Sequence, residues 1–508
     1  MSRAALIAAL LGAAALGLAG CQTGTGGVPP GGETAAIPQP AGAGLPALEA
    51  AKIAYEKGDY ETAHDAFLPL AESGDAVAQV YMSRLYYYGR GRAQDYAAAL
   101  RWARLAAAQG SSAGQHAVGR MYDTGRGVAR DHAEAARWYL MAAEQGHAGA
   151  QFGLSTLYRH GRGVPADPKA EVYWLRRAAE QGHAEAAFGL AIMHEEGEGV
   201  TQDAAAAAGW YKRAAERGHA GAQIALGYSY DYGEGVAQDH AAAVHWYRQA
   251  AAQGSAQAQH NLGVSYYRGE GVRQSDRQAA RWFRAAAEQG RPASQANLGY
   301  MYRRGRGVKR DYEEALRWYL LAAGQEDDLA LAELGHMYRR GEGVAQDYEE
   351  AVRWYRRAAE QGDADAQFSL GYSYEHGEGV TQDEAAAVGW YRAAAEQGYL
   401  PAQFSLAFAY DTGAGVARDH AAAAGWYRKA AVQGDADALN NLAIMYWDGD
   451  GVARDPVMAL ALLNLAAERG SGRARNNRLH YMVKMTADEI RRAEALTDEW
   501  RQRIEAGE

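Results

Sequence analysis

Ten tryptophans recur at an interval of 36 residues, and this spacing restricts the possible folds of the chain more than any other feature. No insertion or deletion breaks the interval, and Leu462 takes the tryptophan position in the last full unit. A fixed period kept over eleven units predicts an array of short supersecondary units, each burying its apolar face against its neighbours. We expect the tryptophans to form the structural core of the repeat. They are Trp102, Trp138, Trp174, Trp210, Trp246, Trp282, Trp318, Trp354, Trp390 and Trp426.

Each unit has the pattern of a helical hairpin, which residues 363–398 illustrate. The first half places small and apolar residues at helical spacing, and the Gly-Glu-Gly-Val run at 377–380 ends that helix because glycine tolerates a positive φ. Asp383 then caps a second helix, which carries Trp390 and Tyr391 and ends at Gly398. The chain is therefore predicted to be all-α, built from stacked helical hairpins.

This pattern resembles the Sel-1-like repeat, a relative of the tetratricopeptide repeat, over residues 75–470. The resemblance implies a right-handed α/α superhelical solenoid of the tetratricopeptide type. Members of that family act as adaptors and scaffolds, many of them in bacterial envelopes. We divide the chain into a signal peptide, a tether, one short hairpin, eleven repeats and capping helices, at 1–20, 21–45, 46–74, 75–470 and 471–508.

The first residues predict export and lipid attachment. Arg3 precedes an apolar stretch at residues 4–18, which is too short to span a bilayer comfortably but typical of a signal peptide. The run Leu-Ala-Gly-Cys ending at Cys21 resembles the lipobox of bacterial lipoproteins, in which the cysteine is diacylated. Cys21 is the single cysteine of the chain. The Gly/Pro-rich residues 22–45 are expected to be a flexible tether.

Two places depart from the repeat. Thr486 and Glu489 form a capping-box pattern before an apolar stripe, which predicts a terminal helix that shields the last hairpin. Glu326 stands at a turn-glycine position, and Leu331 stands where most units have glutamine. We expect the solenoid to bend or loosen between residues 323 and 332.

Sequence signatures of catalysis are incomplete in this chain. His194-Glu195-Glu196 lacks the second histidine of a zinc-protease helix, and Val452 breaks the calcium-loop pattern that begins at Asp448. The Gly-Tyr-Ser-Tyr segments lack the second glycine of a nucleophile elbow. We predict no catalytic residue, no metal site and no cofactor, and hence a protein that is not an enzyme.

The charge balance argues against a nucleic-acid partner. The chain has 52 basic and 62 acidic residues, for a formal net charge of −10. Nucleic-acid binding needs a basic surface that displaces counterions from phosphates. The arginines at 303, 304, 306, 339 and 340, with Lys309 and Arg310, form a basic stretch that could steer an acidic partner, although a solvated edge explains it as well.

One column of the first helices varies in a way that suggests binding. It contains aromatic residues and histidine where other columns hold fixed packing residues, with Asn and Ser nearby on the same face. Tyrosine beside Asn and Ser is suited to gripping a peptide. We hypothesise a partner-binding groove on the concave face; the open alternative is that these rings only pack between hairpins. The residues are Tyr228, Tyr300, His336, Tyr372 and Phe408.

These observations favour a non-catalytic protein-interaction scaffold anchored to the bacterial envelope, on the outer membrane facing the periplasm. Its predicted contacts are an unidentified protein partner and a membrane through the lipid on Cys21. One alternative is a tether that binds peptidoglycan through the tyrosine face. A less favoured alternative is a cell-wall or β-lactam hydrolase, since the relatives linked to penicillin carry paired cysteines that this chain lacks.

Overall fold

The computed structural model describes residues 46–506, and this part of the chain contains 26 helices and no strand. Nearly all of them have 12 or 13 residues, and they alternate between the first and second helices of successive hairpins. The helices of the N-terminal half are α1 Ala47–Glu56, α2 Tyr60–Glu72, α3 Ala76–Tyr88, α4 Tyr96–Ala108, α5 Ser112–Thr124, α6 His132–Glu144, α7 Ala148–His160, α8 Pro168–Glu180, α9 Ala184–Glu196, α10 Ala204–Glu216, α11 Ala220–Tyr232, α12 His240–Ala252 and α13 Ala256–Arg268. Those of the C-terminal half are α14 Asp276–Glu288, α15 Pro292–Arg304, α16 Tyr312–Ala323, α17 Asp328–Arg340, α18 Tyr348–Glu360, α19 Ala364–His376, α20 Glu384–Glu396, α21 Leu400–Thr412, α22 His420–Val432, α23 Ala436–Asp448, α24 Pro456–Glu468, α25 Gly472–Met482 and α26 Ala487–Ala506.

The helices group into two compact units. Within the described residues, the first unit comprises 46–265 and 269–273, and the second comprises 266–268 and 274–506. In each unit most helices pack against the next one along the chain, and α24 packs against both α25 and α26. The predicted all-helical solenoid of stacked hairpins is thereby confirmed, whereas its right-handed superhelix stays a prediction.

Local signals place the ends of the helices, as the hairpin at 363–398 shows. The Asp363 carboxylate accepts a hydrogen bond from the Ala366 N–H at 2.7 Å and so caps α19. Gly377 ends that helix in the left-handed conformation, with a φ of 70°. Asp383 caps α20 by accepting from the Ala386 N–H at 2.9 Å. The repeat therefore fixes where each helix begins and ends.

A tyrosine, rather than the neighbouring tryptophan, is the most deeply buried aromatic residue of a hairpin. Tyr391 is 3% exposed, and a Cβ atom built on Gly371 would lie 2.8 Å from its ring. Trp390 is half-buried, because adjacent residues of a helix point about 100° apart. Of the ten tryptophans at the 36-residue interval, Trp174 and Trp318 are buried and the other eight are half-buried. The tryptophans thus border the core that the tyrosines fill.

A buried glutamine and an exposed glutamine together join consecutive hairpins. Gln367 Nε2 donates to the Ala359 carbonyl of the preceding hairpin at 3.2 Å, and its Oε1 accepts from Gln397 Nε2 at 2.8 Å. Gln397 also donates to the Gly362 carbonyl at 2.9 Å. We call this arrangement the glutamine rung. The same glutamine pair recurs as Gln79–Gln109, Gln115–Gln145, Gln151–Gln181, Gln223–Gln253, Gln295–Gln325 and Gln403–Gln433.

The turn within the irregular segment at 323–332 is joined to the next hairpin by groups other than a glutamine rung. Glu326 has a φ of 60°, as a turn glycine would, and Leu331 is fully buried in place of the rung glutamine. The Glu326 carboxylate accepts from Arg357 Nη2 at 2.7 Å and from Gln361 Nε2 at 3.1 Å. The expected loosening is therefore opposed by a local ion pair that ties this turn to the next hairpin.

The C-terminal helices close the second unit. Thr486 and Glu489 make both bonds of the predicted capping box: the Thr486 N–H donates to Glu489 Oε2 at 2.8 Å, and the Glu489 N–H donates to Thr486 Oγ1 at 3.3 Å. From α26, Ala493 and Trp500 are buried against the hairpin before it. The apolar stripe of α26 therefore covers the end of the stack.

Candidate partner-binding surface

Four of the five predicted groove residues lie on alternate helices of the second unit, one repeat apart. In each helix the preceding residue is a buried glycine or alanine that lies beneath the core tyrosine, so the groove residue lies at the edge of the packed interface. We call these four the first-helix row. They are Tyr300 on α15, His336 on α17, Tyr372 on α19 and Phe408 on α21.

Tyr372 lies between neighbouring side chains. Its ring stacks on His376 with the ring centroids 4.0 Å apart and an angle of 17° between the planes. The Arg339 guanidinium lies 4.5 Å from the ring centroid, and its Nε donates to Glu378 at 3.0 Å. The Tyr372 side chain is half-buried as a result, with a cation held at its ring.

His336 uses both of its ring nitrogens within the protein. Nε2 lies 2.6 Å from Asp365 Oδ2, and Nδ1 lies 2.8 Å from the Tyr355 hydroxyl. Tyr399 donates to the other Asp365 oxygen at 2.5 Å. The hydrogen bond from His336 holds the pKa of the Asp365 carboxyl below its ordinary value. His336, Asp365 and Tyr399 therefore form a hydrogen-bonded chain across three successive hairpins, and both ring nitrogens of His336 are already bonded.

Buried ion pairs lie along the same helices. Arg303 is 5% exposed, and its guanidinium pairs with Glu333 and, through Nε at 2.6 Å, with Glu342. Arg339 and Glu378 repeat the second contact one hairpin later. We call these contacts the ion-pair ladder of the second unit. The Arg303–Glu342 and Arg339–Glu378 pairs each run from the end of one first helix to the loop of the next hairpin, whereas Glu333 lies on α17.

Phe408 is the most exposed residue of the first-helix row. Tyr300 is half-buried beside the Tyr267 ring, 6.4 Å away between centroids, and a hydrogen bond with Tyr267 lowers the pKa of the Tyr300 hydroxyl. Phe408 is 47% exposed, which is unusual for a phenylalanine. The row therefore offers an exposed apolar ring at Phe408 and partly covered rings before it.

Tyr228 lies in the first unit, on α11. Its ring packs at 4.3 Å on that of Tyr232, which is 61% exposed. This pair forms a second aromatic patch, so the five predicted residues divide between the two units.

Several residues that shape this surface were not found from the sequence. Arg303 and Arg339 were grouped with a solvated basic edge, but each pairs with a glutamate 39 residues further on, at Glu342 and Glu378. Arg306 likewise pairs with Asp276 at 3.0 Å. A search for opposite charges separated by one repeat plus three residues would have found the ladder.

Residues 46–506 contain no group of three or more His, Cys, Asp or Glu side chains arranged to hold a metal ion. Within the same range no helix is long and apolar enough to cross a membrane. Cys21 and the predicted signal peptide and tether lie outside the described residues.

The fold defines a helical-repeat solenoid of stacked hairpins. The Sel1 repeat family model matches eleven consecutive segments of the chain. They are residues 76–111, 112–147, 148–183, 184–219, 220–255, 256–290, 292–327, 328–363, 364–399, 400–435 and 436–471. The chain belongs to the Sel1 repeat family, which confirms the resemblance seen in the sequence.

Solved structures include close relatives. A protective antigen of uropathogenic Escherichia coli with an SLR fold is 37% identical, covers 87% of this chain and 95% of its own, and superposes with a TM-score of 0.80. A Sel1 repeat protein from Oxalobacter formigenes is 31% identical over 73% of this chain and 95% of its own, with a TM-score of 0.45. Comparison with curated proteins gives no match. Sel1-repeat proteins are generally protein-interaction scaffolds, and their solenoid is typically non-catalytic.

Proposed function

We propose that this protein is a non-catalytic scaffold of the bacterial envelope that binds a protein partner through the first-helix row of its second unit. The observation that carries the proposal is the exposed ring of Phe408 at the end of a row of aromatic side chains on four alternate helices. Aromatic residues with one covered face and one open face are frequent anchors of protein interfaces.

The row is suited to binding because contacts within the protein hold its side chains in place before a partner binds. Arg339 and His376 hold the Tyr372 ring, and the ion-pair ladder fixes the helices that carry the row. Binding a partner to these rings would cost the scaffold little conformational entropy, which favours affinity. His336 contributes as a support, because its two nitrogens are bonded to Tyr355 and Asp365.

Attachment to the envelope is the second part of the proposal. The lipobox-like Leu-Ala-Gly-Cys sequence ending at Cys21 supports acylation, and residues 22–45 would hold the solenoid away from the bilayer. The measurement is the mass of the mature N-terminal peptide together with membrane fractionation. A diacylated Cys21 peptide in the outer-membrane fraction, lost in Cys21→Ser, is the expected result; an unmodified N-terminus would contradict it.

The partner site is tested by crosslinking in intact envelopes followed by pull-down. The binding variant carries Tyr300→Ala, Tyr372→Ala and Phe408→Ala. The matched control is Tyr348→Ala, an exposed tyrosine on the second helix of a hairpin in the same unit. We expect one protein to be captured by the natural chain and by the control, and to be lost from the folded binding variant. Capture of the same proteins by all three would contradict the proposed surface, and co-sedimentation with purified peptidoglycan would instead indicate a glycan tether.

A further inference from the structure

One glutamine rung is replaced by an open cavity. In the hairpin at residues 183–218 the first rung glutamine is Ala187 and the second is Arg217. At the two other positions where the first glutamine is missing, the buried side chains of Leu331 and Leu439 occupy its place. Ala187 is the one small residue in this column, so the space of an amide side chain is left unfilled.

The cavity lies at the position of the missing rung. It has a volume of about 360 Å³ and is lined by the residues equivalent to all four rung groups. Ala187 and Arg217 replace the two glutamines, while Ala179 and Gly182 carry the carbonyls that the glutamines would contact. A volume of this size is at the lower end of ligand-binding pockets, so the substitution has produced a notch that can accept a side chain from outside.

Two guanidinium groups face this notch. Arg213 lies over the Trp210 ring at 4.3 Å from its centroid, and Arg217 lies against Gly182, where a built Cβ would be 2.7 Å from the guanidinium carbon. In the part of the chain that the structure describes, neither arginine forms an ion pair. Both are therefore available to a group that enters the notch.

The rung geometry indicates which group fits. In an intact rung the first glutamine supplies an oxygen that accepts from the second, as Gln367 does for Gln397. With Arg217 as the donor and alanine at position 187, the amide oxygen of the first rung glutamine is missing, and an occupant of the notch can supply an oxygen in its place. A carboxylate meets this need best, because guanidinium–carboxylate bonds are charge-assisted and can be bidentate.

Two carboxylates also line the notch. Glu180 and Glu216 are exposed at its edge, and glutamates recur at the same repeat position in hairpins with an intact rung, such as Glu144 and Glu396. They belong to the common repeat, whereas Ala187 and Arg217 are particular to this hairpin.

We infer that the notch at Ala187 and Arg217 binds a glutamate side chain of a protein partner, whose carboxylate takes the place of the missing rung amide. The inference rests on the proposed scaffold function and adds a second contact point, in the first unit. It is also independent of the first-helix row, since no residue is shared.

The test is an arginine footprint on the purified protein. Phenylglyoxal modification at each arginine is followed by mass spectrometry, with hexaglutamate as the probe and hexaglutamine as its uncharged match. Arg177 is the internal control, because it occupies the position of Arg213 in a hairpin whose rung, Gln151–Gln181, is intact. Two variants accompany the natural chain: Ala187→Gln fills the notch, and Ala187→Gln with Arg217→Gln restores the regular rung.

We expect hexaglutamate to slow modification of Arg213 and Arg217 about threefold at about twice its Kd, and to leave Arg177 unchanged. Filling the notch should abolish the protection of Arg213. Equal protection of Arg177, retained protection of Arg213 in Ala187→Gln, or equal protection by hexaglutamine would each overturn the inference. The footprint tests the notch with a defined peptide, and the pull-down tests the first-helix row with envelope proteins. A negative result in one experiment therefore does not affect the conclusion from the other.

Discussion

Two pairs of hairpins, at residues 147–218 and 327–398, have matching helices but begin their first helices with different caps. We call the former the histidine-capped pair, because the Nδ1 atoms of His147 and His183 accept the N–H of the third helical residue, each at 3.2 Å. In the other pair, the aspartate-capped pair, the carboxylates of Asp327 and Asp363 accept the equivalent bonds. The free N–H groups of the first helical turn are thus capped by side chains that titrate over different pH ranges.

Burial moves the pKa values of these caps in opposite directions. It lowers the pKa of His147 and His183, which face Arg84 and Glu185 respectively, and it raises the pKa of Asp327 and Asp363. His116, stacked on His147 with centroids 4.5 Å apart, has its pKa lowered to about 3 by burial. A histidine can accept at Nδ1 only when that nitrogen is unprotonated. The comparison teaches that the repeat fixes the backbone, while substitutions in a few columns give each region its own chemistry.

The largest expected effect belongs to the ion-pair ladder, which contacts the aspartate-capped pair from α15. Replacing Arg303 by alanine leaves Glu333 and Glu342 without their buried partner, so we expect the free energy of unfolding of the second unit to fall by about 3–5 kcal/mol. Chemical denaturation measures this. Arg304→Ala removes a neighbouring exposed arginine and should cost less than about 1 kcal/mol. Equal losses in the two variants would show that the ladder does not hold these hairpins.

Acidification should separate the two pairs. A histidine whose folded pKa is lowered stabilises the fold above its unfolded pKa of about 6.5, and that stability is lost as the pH falls below this value. From pH 7 to pH 5 we therefore expect the free energy of unfolding of the histidine-capped pair to fall. The double variant His147→Asp, His183→Asp should reduce this loss.

Over the same range the aspartate caps should change little. A raised folded pKa gives an aspartate stability that is present below its unfolded pKa of about 3.9 and is lost as the pH rises through the folded value. Acid therefore does not weaken these caps. If both pairs lose stability equally between pH 7 and pH 5, the cap comparison is wrong.

Removing single caps sharpens the comparison further. Asp363→Ala should lower the free energy of unfolding by about 1 kcal/mol at both pH 7 and pH 5. His183→Ala should have a similar effect at pH 7 and a smaller one at pH 5, where protonation competes with the capping bond. Urea titrations at the two pH values measure both variants, and a pH-independent effect of His183→Ala would contradict the role of its neutral ring.

The smallest effect concerns the notch in the histidine-capped pair. Restoring the rung with Ala187→Gln and Arg217→Gln should raise the free energy of unfolding by about 0.5–1.5 kcal/mol, the net contribution of a hydrogen bond. Thermal unfolding of this variant and of Ala187→Gln alone gives the measurement. A decrease in the double variant would mean that the space at Ala187 cannot hold an amide.

Most of the fold was predictable from the sequence because each repeat contains the residues that begin and end its helices. Asp383, Gly377 and the 36-residue interval are sufficient to place two helices in every unit, and Thr486 with Glu489 placed the last one. The identity of the deepest aromatic residue was not predictable from the interval, since Trp390 and Tyr391 recur together and only packing decides which of them faces Gly371.

The surface was less predictable for a physical reason. The column of His336 and Tyr372 could be identified by its variation, but the partners that occupy these side chains come from other hairpins. Asp365 lies 29 residues from His336, and Arg339 lies 33 residues before Tyr372. Such contacts depend on the stacking of hairpins, which a pattern within one repeat does not describe.

Hairpins with the same backbone are expected to respond differently to pH because their caps differ. The most direct test of this central claim is hydrogen exchange of the natural protein at pH 7 and pH 5, read by mass spectrometry and corrected for intrinsic exchange rates. The two sets of peptides are those from α7 and α9 and those from α17 and α19. We predict that protection falls in α7 and α9 by up to about tenfold per 1.4 kcal/mol lost, while α17 and α19 keep theirs. Equal changes in both sets, or a larger loss in α17 and α19, would contradict the account.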